Sequence, residues 1–423
     1  MIKKLQNKVF SKFGTEFSRN IFKVFSGSSI AYLMGFISLP VLTRIYSADD
    51  FGNYQLLFSI IILFSSISSL KYEIAIVLPK EDDEADKVIA ISLWATVFTT
   101  LLFGVVLYTA SNPLLKLLDA MVLKDYIPYL ILGIFFYGLY LALQYVFIRN
   151  KEYGILSKNR IFETFVNVLL SILLGFLSFG FAGLFYGKVV SLGSASGLII
   201  LKQKLIRLLK IKFRDFKSVA HKYIEHVYVN TPTVLINSFA LELPVFMISS
   251  FFNLEIVGLF SLSRRILNLP INIISKSFAQ VYYQSAAEIY NTDKHKLLDL
   301  YKDTIKKLAL IGLIPGVLGV FAPQIFAVFF GSEWTQAGYY VRIMVPWVYL
   351  QFINNPIATT HNILNSQKLA LVLVVISILL RFGAMYYFSE TPEMMITALS
   401  VTSGLFYLFY ILSVYFSIKR KIR

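Results

Sequence analysis

The chain has no cysteine, and its 423 residues include only four histidines, His221, His226, His295 and His361. The first absence excludes disulfides, thiolate metal sites and thiol catalysis. None of the four histidines stands beside another at ligand spacing with carboxylates, so neither a metal nor a cofactor is expected. Charge is also scarce. Charged residues make up 15% of the chain against 57% apolar, which leaves too little polar surface to cover a soluble globule. Acids are scarcer than bases, 24 against 40. That excess does not point to nucleic acid, because Lys and Arg fall in short clusters between apolar runs rather than on one continuous face.

What is present is a succession of long apolar windows. Lys3, Lys4, Lys8, Lys12, Arg19 and Lys23 precede an apolar stretch too long for a signal-peptide core and without a small-residue cleavage site, so the first span is expected to stay. Ile2, Leu5, Val9, Phe13 and Phe17 recur at helical spacing, which predicts an amphipathic segment over 1–21 on the cytoplasmic leaflet, a frayed basic tail being the alternative. Windows of about twenty residues then place spans at 22–44, 51–74, 88–110, 126–148, 161–179 and 181–201. A basic linker occupies 202–229. Six more spans follow at 230–252, 255–279, 304–330, 338–360, 367–388 and 394–417, with a tail at 418–423.

This is an all-α polytopic membrane protein of about twelve helices. Only a few residues around Gly180 separate the fifth and sixth spans, which must therefore form a tight hairpin. Basic clusters fall on one side throughout, from the N-terminal lysines through Lys202–Lys222 to Lys419–Arg423. The other side keeps little more than Arg44, Lys116 and Lys124 among acids. By the positive-inside rule both termini are cytoplasmic. All outer loops are short, which disfavours a membrane glycosyltransferase or polysaccharide polymerase, because such an enzyme needs a domain to hold acids, metal and acceptor.

The linker divides the chain almost equally, into an N-lobe at 22–201 and a C-lobe at 230–417, and the halves share a short repeat. Leu39-Pro40-Val41 and Phe51-Gly52-Asn53-Tyr54 correspond to Leu243-Pro244-Val245 and Val257-Gly258-Leu259-Phe260. Both copies fall at the junction of the first two spans of a half. Two parallel six-helix lobes would be related by an axis along the membrane normal, with a cavity between them.

Ionisable groups at bilayer depth are costly and are expected to face a wet cavity or one another. Glu242 lies about 15 Å from the outer end of the seventh span, and Arg264 and Arg265 about as far down the eighth. An ion pair across that hairpin is expected. Lys188 and Arg381 come about 10 Å from the outer ends of their helices, while Arg44 and Arg342 sit near those ends and have headgroup snorkelling as an alternative. Several cations against one buried acid suit an anionic ligand. Ser261, Arg265, Asn268, Asn272 and Lys276 make a polar stripe along the eighth helix, which Pro270 interrupts as a hinge. Asn354, Asn355, Pro356, Thr359 and Thr360 on the tenth helix could line the cavity, but interhelical hydrogen bonding is the role expected of them. Glu73 and Glu163 fall at the cytoplasmic boundary, where salt bridges to Lys71 and Arg160 account for them. They are weaker candidates for ion coupling.

The segment Ser38-Leu39-Pro40-Val41-Leu42-Thr43-Arg44-Ile45-Tyr46-Ser47, then Asp50-Phe51-Gly52-Asn53-Tyr54, resembles the N-terminal signature of bacterial polysaccharide-unit flippases. Tyr72-Glu73-Ile74-Ala75-Ile76-Val77-Leu78-Pro79-Lys80 and Ser263-Arg264-Arg265-Ile266-Leu267-Asn268-Leu269-Pro270 add to it. These are the Wzx-type transporters of the multidrug/oligosaccharidyl-lipid/polysaccharide exporter superfamily. The resemblance implies a V-shaped, MATE-like transporter that moves an undecaprenyl-pyrophosphate-linked oligosaccharide to the outer leaflet by alternating access, for capsule, O-antigen or exopolysaccharide synthesis. Its partners would be that cargo, membrane lipids, and a polysaccharide polymerase with its chain-length regulator. The expected cargo site comprises Arg265, Arg264, Lys188, Arg44, Arg381, Arg342, Asn268 and Asn272, with Glu242 and Glu73 as coupling or structural acids. Related peptidoglycan-precursor flippases carry two further helices for the lipid tail, and no such pair is present here. The alternative is a cation-coupled multidrug or metabolite exporter of the same superfamily, which would want buried acids instead.

Overall fold

The structure, a computed structural model, describes residues 15–205, 219–364 and 366–422. The expected amphipathic segment lies outside the described residues up to residue 14, and so does most of the basic linker, residues 206–218.

Seventeen α-helices account for nearly all of the described chain. In its first part these are α1 (Thr15–Ile37), α2 (Leu39–Ile45), α3 (Ala48–Ser65), α4 (Asp82–Thr109), α5 (Ser111–Leu117), α6 (Ile127–Arg149), α7 (Tyr153–Phe176) and α8 (Phe181–Lys202). Next come α9 (Ile224–Phe251), α10 (Leu254–Pro270), α11 (Lys276–Thr292), α12 (Lys294–Val320) and α13 (Ala322–Phe329). The last are α14 (Thr335–Ala358), α15 (Thr360–Ile363), α16 (Gln367–Tyr387) and α17 (Pro392–Ile422). In a bilayer, only closed hydrogen bonding within each segment satisfies the backbone, and a helix provides it.

Most spans read from the sequence fall on helices, but the second, expected over 51–74, leaves the helix after Ser65, where turns and a 3-10 segment at Tyr72–Val77 follow. Seven helical stretches are long and apolar enough to cross a membrane on those criteria alone, and α12 with α13, bent by 67°, makes an eighth. The others, α3, α10, α14 and α16, are shorter or carry charge: α3 opens with Asp49 and Asp50, and α10 holds Glu255, Arg264 and Arg265.

Several helices start earlier than hydropathy indicates. α7 begins at Tyr153 rather than 161, and α12 at Lys294 rather than 304. The apolar window measures contact with lipid, whereas the helix extends as long as its polar side chains find partners. In α7 they do, since Asn159 donates to the Ala195 carbonyl at 3.0 Å and Arg160 to Gln144 and Ser28.

Local chemistry fixes the ends. Ser47 and Asp50 form a reciprocal cap on α3, the Asp50 N–H bonding Ser47 Oγ at 3.1 Å and the Ser47 N–H bonding Asp50 Oδ2 at 3.0 Å. Asn253 caps α10 by accepting from the Ile256 N–H, and Asp293 caps α12 by accepting from the His295 N–H. Gly180, at φ 56°, turns the chain between α7 and α8, which pack extensively as the expected hairpin. After Pro270, which has no N–H to donate, the helix widens into a π turn over Ile271–Ser275 before α11 continues.

Contacts divide the chain into two compact units. One comprises Met1–Ser38, Leu57–Leu115 and Met121–Ser238. The other comprises Leu39–Leu56, Lys116–Ala120 and Phe239–Arg423. The first has a core of buried side chains from α4, α6, α7 and α8, including Val88, Leu143, Phe147, Leu156 and Ile199. The second contains both copies of the sequence repeat. There the start of α3 crosses the start of α10 so closely that a Cβ on Gly52 would lie 1.7 Å from the Leu254 oxygen, and one on Gly258 1.8 Å from the Ala48 oxygen. The two glycines sit at equivalent places in the repeat, and each is required by the other's backbone. Trp334, fully buried, seals the same region, with its indole N–H on the Thr43 carbonyl at 3.2 Å and its ring edge-on to Phe51 at 5.1 Å. The signature segment thus owes its residue types to packing.

Candidate functional site

The second unit holds two guanidinium groups and a carboxylate at bilayer depth. Glu242, on α9 and 4% exposed, faces Arg264 on α10, with Oε1 and Nη2 3.5 Å apart. This is the ion pair expected across the hairpin, with Arg264 rather than Arg265 as the partner, at the long limit of a hydrogen bond. Arg381, on α16, is 7% exposed and lies within Coulombic range of Arg264. Its guanidinium rests on two rings of α17, 5.3 Å from the Phe406 centroid and 5.9 Å from that of Tyr407, and hydrogen-bonds the Tyr407 side chain. Arg381 Nε and Nη2 have no hydrogen-bond partner among the described residues. The aromatic faces attract the cation but do not accept its N–H bonds. Such a buried fork with unpaired N–H groups has the donors that an anion would bond.

The remaining expected cations are distributed differently. Arg265 is exposed on α10, on the side of Tyr54, and Asn268 and Asn272 follow it half-buried, so the polar stripe is not sealed into the core. Arg44 is exposed at the end of α2 beside Gly331. Arg342, exposed on α14, donates through Nε and Nη2 to the Val320 carbonyl at 3.1 and 2.7 Å and stacks on Tyr339 at 5.4 Å.

Lys188 belongs to a separate cluster in the first unit. Its Nζ meets Glu163 Oε1 at 2.7 Å and sits 5.4 Å from the Phe58 ring centroid, while Ser191 Oγ donates to the same carboxylate oxygen at 2.9 Å. This corrects the expectation that Arg160 would answer Glu163. With α7 starting at Tyr153, Glu163 is ten residues, about 15 Å, into the helix, and Arg160 turns instead to Gln144 and Ser28. Glu73 does pair with Lys71 as expected, at 2.5 Å, and Ser69 donates to its other oxygen. That pair braces a turn in which Leu70 and Lys71 both have positive φ, 50° and 62°, an arrangement non-glycine residues seldom adopt.

Of the polar groups expected in interhelical bonds at the tenth span, Thr360, at the start of α15, bonds the Tyr282 hydroxyl at 2.8 Å, whereas Thr359 donates to the Pro356 carbonyl of its own chain segment and Asn354 Oδ1 has no partner among the described residues. The aromatic partners of Arg381 were not found by sequence reading, because Phe406 and Tyr407 sit in a run of aromatics with no spacing that singles them out.

Solved transporters share this fold. A multidrug resistance MATE family transporter of the MOP superfamily in an inward-facing conformation matches with a TM-score of 0.74 over 94% of both chains at 15% identity. A MOP superfamily transporter from Pyrococcus furiosus, described as having a binding pocket of reverse polarity, matches at 0.65 over 96% of both at 16% identity. Likeness at such identity establishes the fold: the protein is an all-α polytopic membrane protein with the MATE fold.

Residues 41–338 match the family of polysaccharide biosynthesis proteins, and the chain belongs to that family. Its resemblance to Wzx-type transporters of the MOP superfamily stands. A curated relative, the succinoglycan biosynthesis transport protein ExoT of Rhizobium meliloti (strain 1021), is 21% identical over 320 residues, which cover 71% of this chain. The chain spans 60% of that relative's length.

Proposed function

We propose that the protein translocates an undecaprenyl-pyrophosphate-linked oligosaccharide across the bacterial cytoplasmic membrane for capsule, O-antigen or exopolysaccharide synthesis, with both termini in the cytoplasm. The observation that carries this reading is Arg381, buried with two unanswered donors beside Arg264. A pyrophosphate supplies several acceptor oxygens and negative charge, and a guanidinium binds it through paired bonds. Arg264, held only loosely by Glu242, is the second cation for that group, and Arg265, Asn268 and Asn272 form the polar path beside it. Arg44 and Lys188 take lesser parts, the first at the outer end and the second with its charge turned to Glu163. Membership of the polysaccharide biosynthesis family supports the sugar part of the reading. An exporter of organic cations would need buried acids open to its cargo, and here Glu163 and Glu242 each face a basic side chain.

The test is deletion of the gene followed by mass analysis of polyprenol-linked sugars. Accumulation of a complete repeat unit is expected, with its sugars on the cytoplasmic side. Wild-type display of the polysaccharide in the deletion strain would refute the reading. In complementation, Arg381→Ala should lose export while inserting normally. Arg381→Lys should recover little, because an ammonium neither stacks as a plane nor bonds bidentately.

A further inference from the structure

Outside the polar clusters, the second unit carries a groove with a volume of about 580 Å³ between α14 and α17. Pro346 and Leu350 form one wall, Val401 and Leu408 the other, and Gly404 lies on the floor, with Arg342 among the residues lining it. The wall residues recur at helical spacing, so the groove follows the two helix axes. From Arg342 to Leu350 is eight residues, about 12 Å, and from Thr397 to Leu408 eleven, about 16 Å. Its depth comes from small side chains. Ser400 is tied down by its bond to the Ile343 carbonyl at 2.7 Å, and a Cβ on Gly404 would meet nothing closer than Leu350 Cδ1 at 3.7 Å. Val401 is 55% exposed and Leu408 43%, so the trough is open along its side. The groove is therefore aliphatic except at the Arg342 end, where Thr397 and Ser400 also lie.

We propose that this groove holds a polyprenyl phosphate, the lipid carrier of the cargo, with its phosphate at Arg342 and its single hydrocarbon chain lying between α14 and α17. The inference rests on the flippase reading for the identity of the carrier and on the groove alone for its chemistry. Arg342 is positioned for the head. Its bonds to the Val320 carbonyl and its stacking on Tyr339 fix the guanidinium at the groove's end, and it has no other partner among the described residues. A single trough leads away from Arg342. A phospholipid brings two chains, and the second would lie displaced on the surface, whereas a prenyl phosphate brings one chain and one anionic head. Inside a bilayer the hydrophobic effect does not drive the chain into the groove, since lipid surrounds it on either side. The walls therefore select shape, and affinity comes from the charge-assisted contact at Arg342.

The experiment measures binding of undecaprenyl phosphate, undecaprenol and phosphatidylglycerol to the full-length protein in nanodiscs by native mass spectrometry. A photoreactive prenyl phosphate then locates the bound chain. Undecaprenyl phosphate is expected to bind at least tenfold better than undecaprenol and to crosslink to the peptide containing 397–408. Arg342→Gln should abolish the preference for phosphate. Val401→Trp, at an exposed position that leaves packing intact, should cut binding about tenfold, and Gly404→Leu should do the same from the floor.

Phosphatidylglycerol competing equally would overturn the proposal and make the groove an annular lipid site. Binding unaffected by Val401→Trp and Arg342→Gln would also overturn it. The gene-deletion test is independent of these outcomes. Accumulated lipid-linked sugar with no groove binding refutes the groove alone, while groove binding without accumulation refutes the cargo assignment and leaves a prenyl phosphate site.

Discussion

At the scale of the residue, the two buried charge clusters behave differently because one is closed and the other open. Lys188 and Glu163 satisfy each other at 2.7 Å, with Ser191 completing the carboxylate's bonds. Removing one member strands the other in a poorly solvated site, so Glu163→Gln should destabilise the protein by about 3 kcal/mol. Replacing both, as Glu163→Gln with Lys188→Met, should restore most of that loss. Thermal unfolding in detergent reads the difference, and a single variant melting with the wild type would show the pair to be solvated. Arg381 is the opposite case. Its charge rests on two ring faces and a bond to Tyr407, while its Nε and Nη2 have no partner among the described residues. Arg264 lies between these extremes, 3.5 Å from its acid and therefore easily recruited.

At the scale of the element, glycine is the residue on which helix packing turns, and two substitutions separate its uses. A Cβ on Gly258 would fall 1.8 Å from a backbone oxygen that has nowhere to go, whereas one on Gly197 in α8 meets nothing within 4 Å. Gly258→Ala should cost about 1–3 kcal/mol by overpacking. Gly197→Ala should be neutral or stabilising by up to about 1 kcal/mol, since alanine is the better helix former. Equal melting temperatures for the two variants would refute the close crossing.

Caps give a second prediction at this scale. Asp293 bonds Lys296 and the His295 N–H, which hold its carboxylate below the ordinary value, the lysine contributing most. A depressed acid stabilises the folded form above its unfolded pKa, and the contribution disappears as pH falls through the folded one. Amide exchange at His295 should therefore quicken, beyond the intrinsic pH dependence, only in the acid range below the normal carboxylate value. Asp293→Asn should flatten that extra dependence, because an amide caps the helix without titrating. A pH dependence that survives the substitution would assign it elsewhere.

At the scale of the molecule, much of the plan is legible in the sequence because a bilayer imposes few solutions. Most apolar windows lie on helices, though 51–74 ends its helix at Ser65 and 304–330 bends by 67°; the Gly180 hairpin formed, and the Glu242–Arg264 pair followed from counting residues down two helices. The repeat identified from a handful of residues located Gly52 and Gly258, although nothing in the sequence says that they touch. What was not legible depends on rotation about helix axes and on where polar ends stop. Hydropathy began α7 at 161, which placed Glu163 at the membrane boundary and hid its partner on α8. The ring faces beneath Arg381 lie 25 and 26 residues further along the chain, on a helix where almost every turn offers an aromatic. Arg342 read as a cation near the outer end of its helix, but its place at the end of a trough depends on Gly404 and Ser400 of another helix being small.

The reciprocal crossing of α3 and α10 has a further consequence. Gly52 meets the oxygen of Leu254, and Gly258 meets the oxygen of Ala48, each four residues before the opposite glycine. Such self-complementary exchange is what two identical subunits present to each other across a two-fold axis. The two copies of the repeat therefore meet as two subunits do across a two-fold axis, each supplying the glycine that the other's backbone requires.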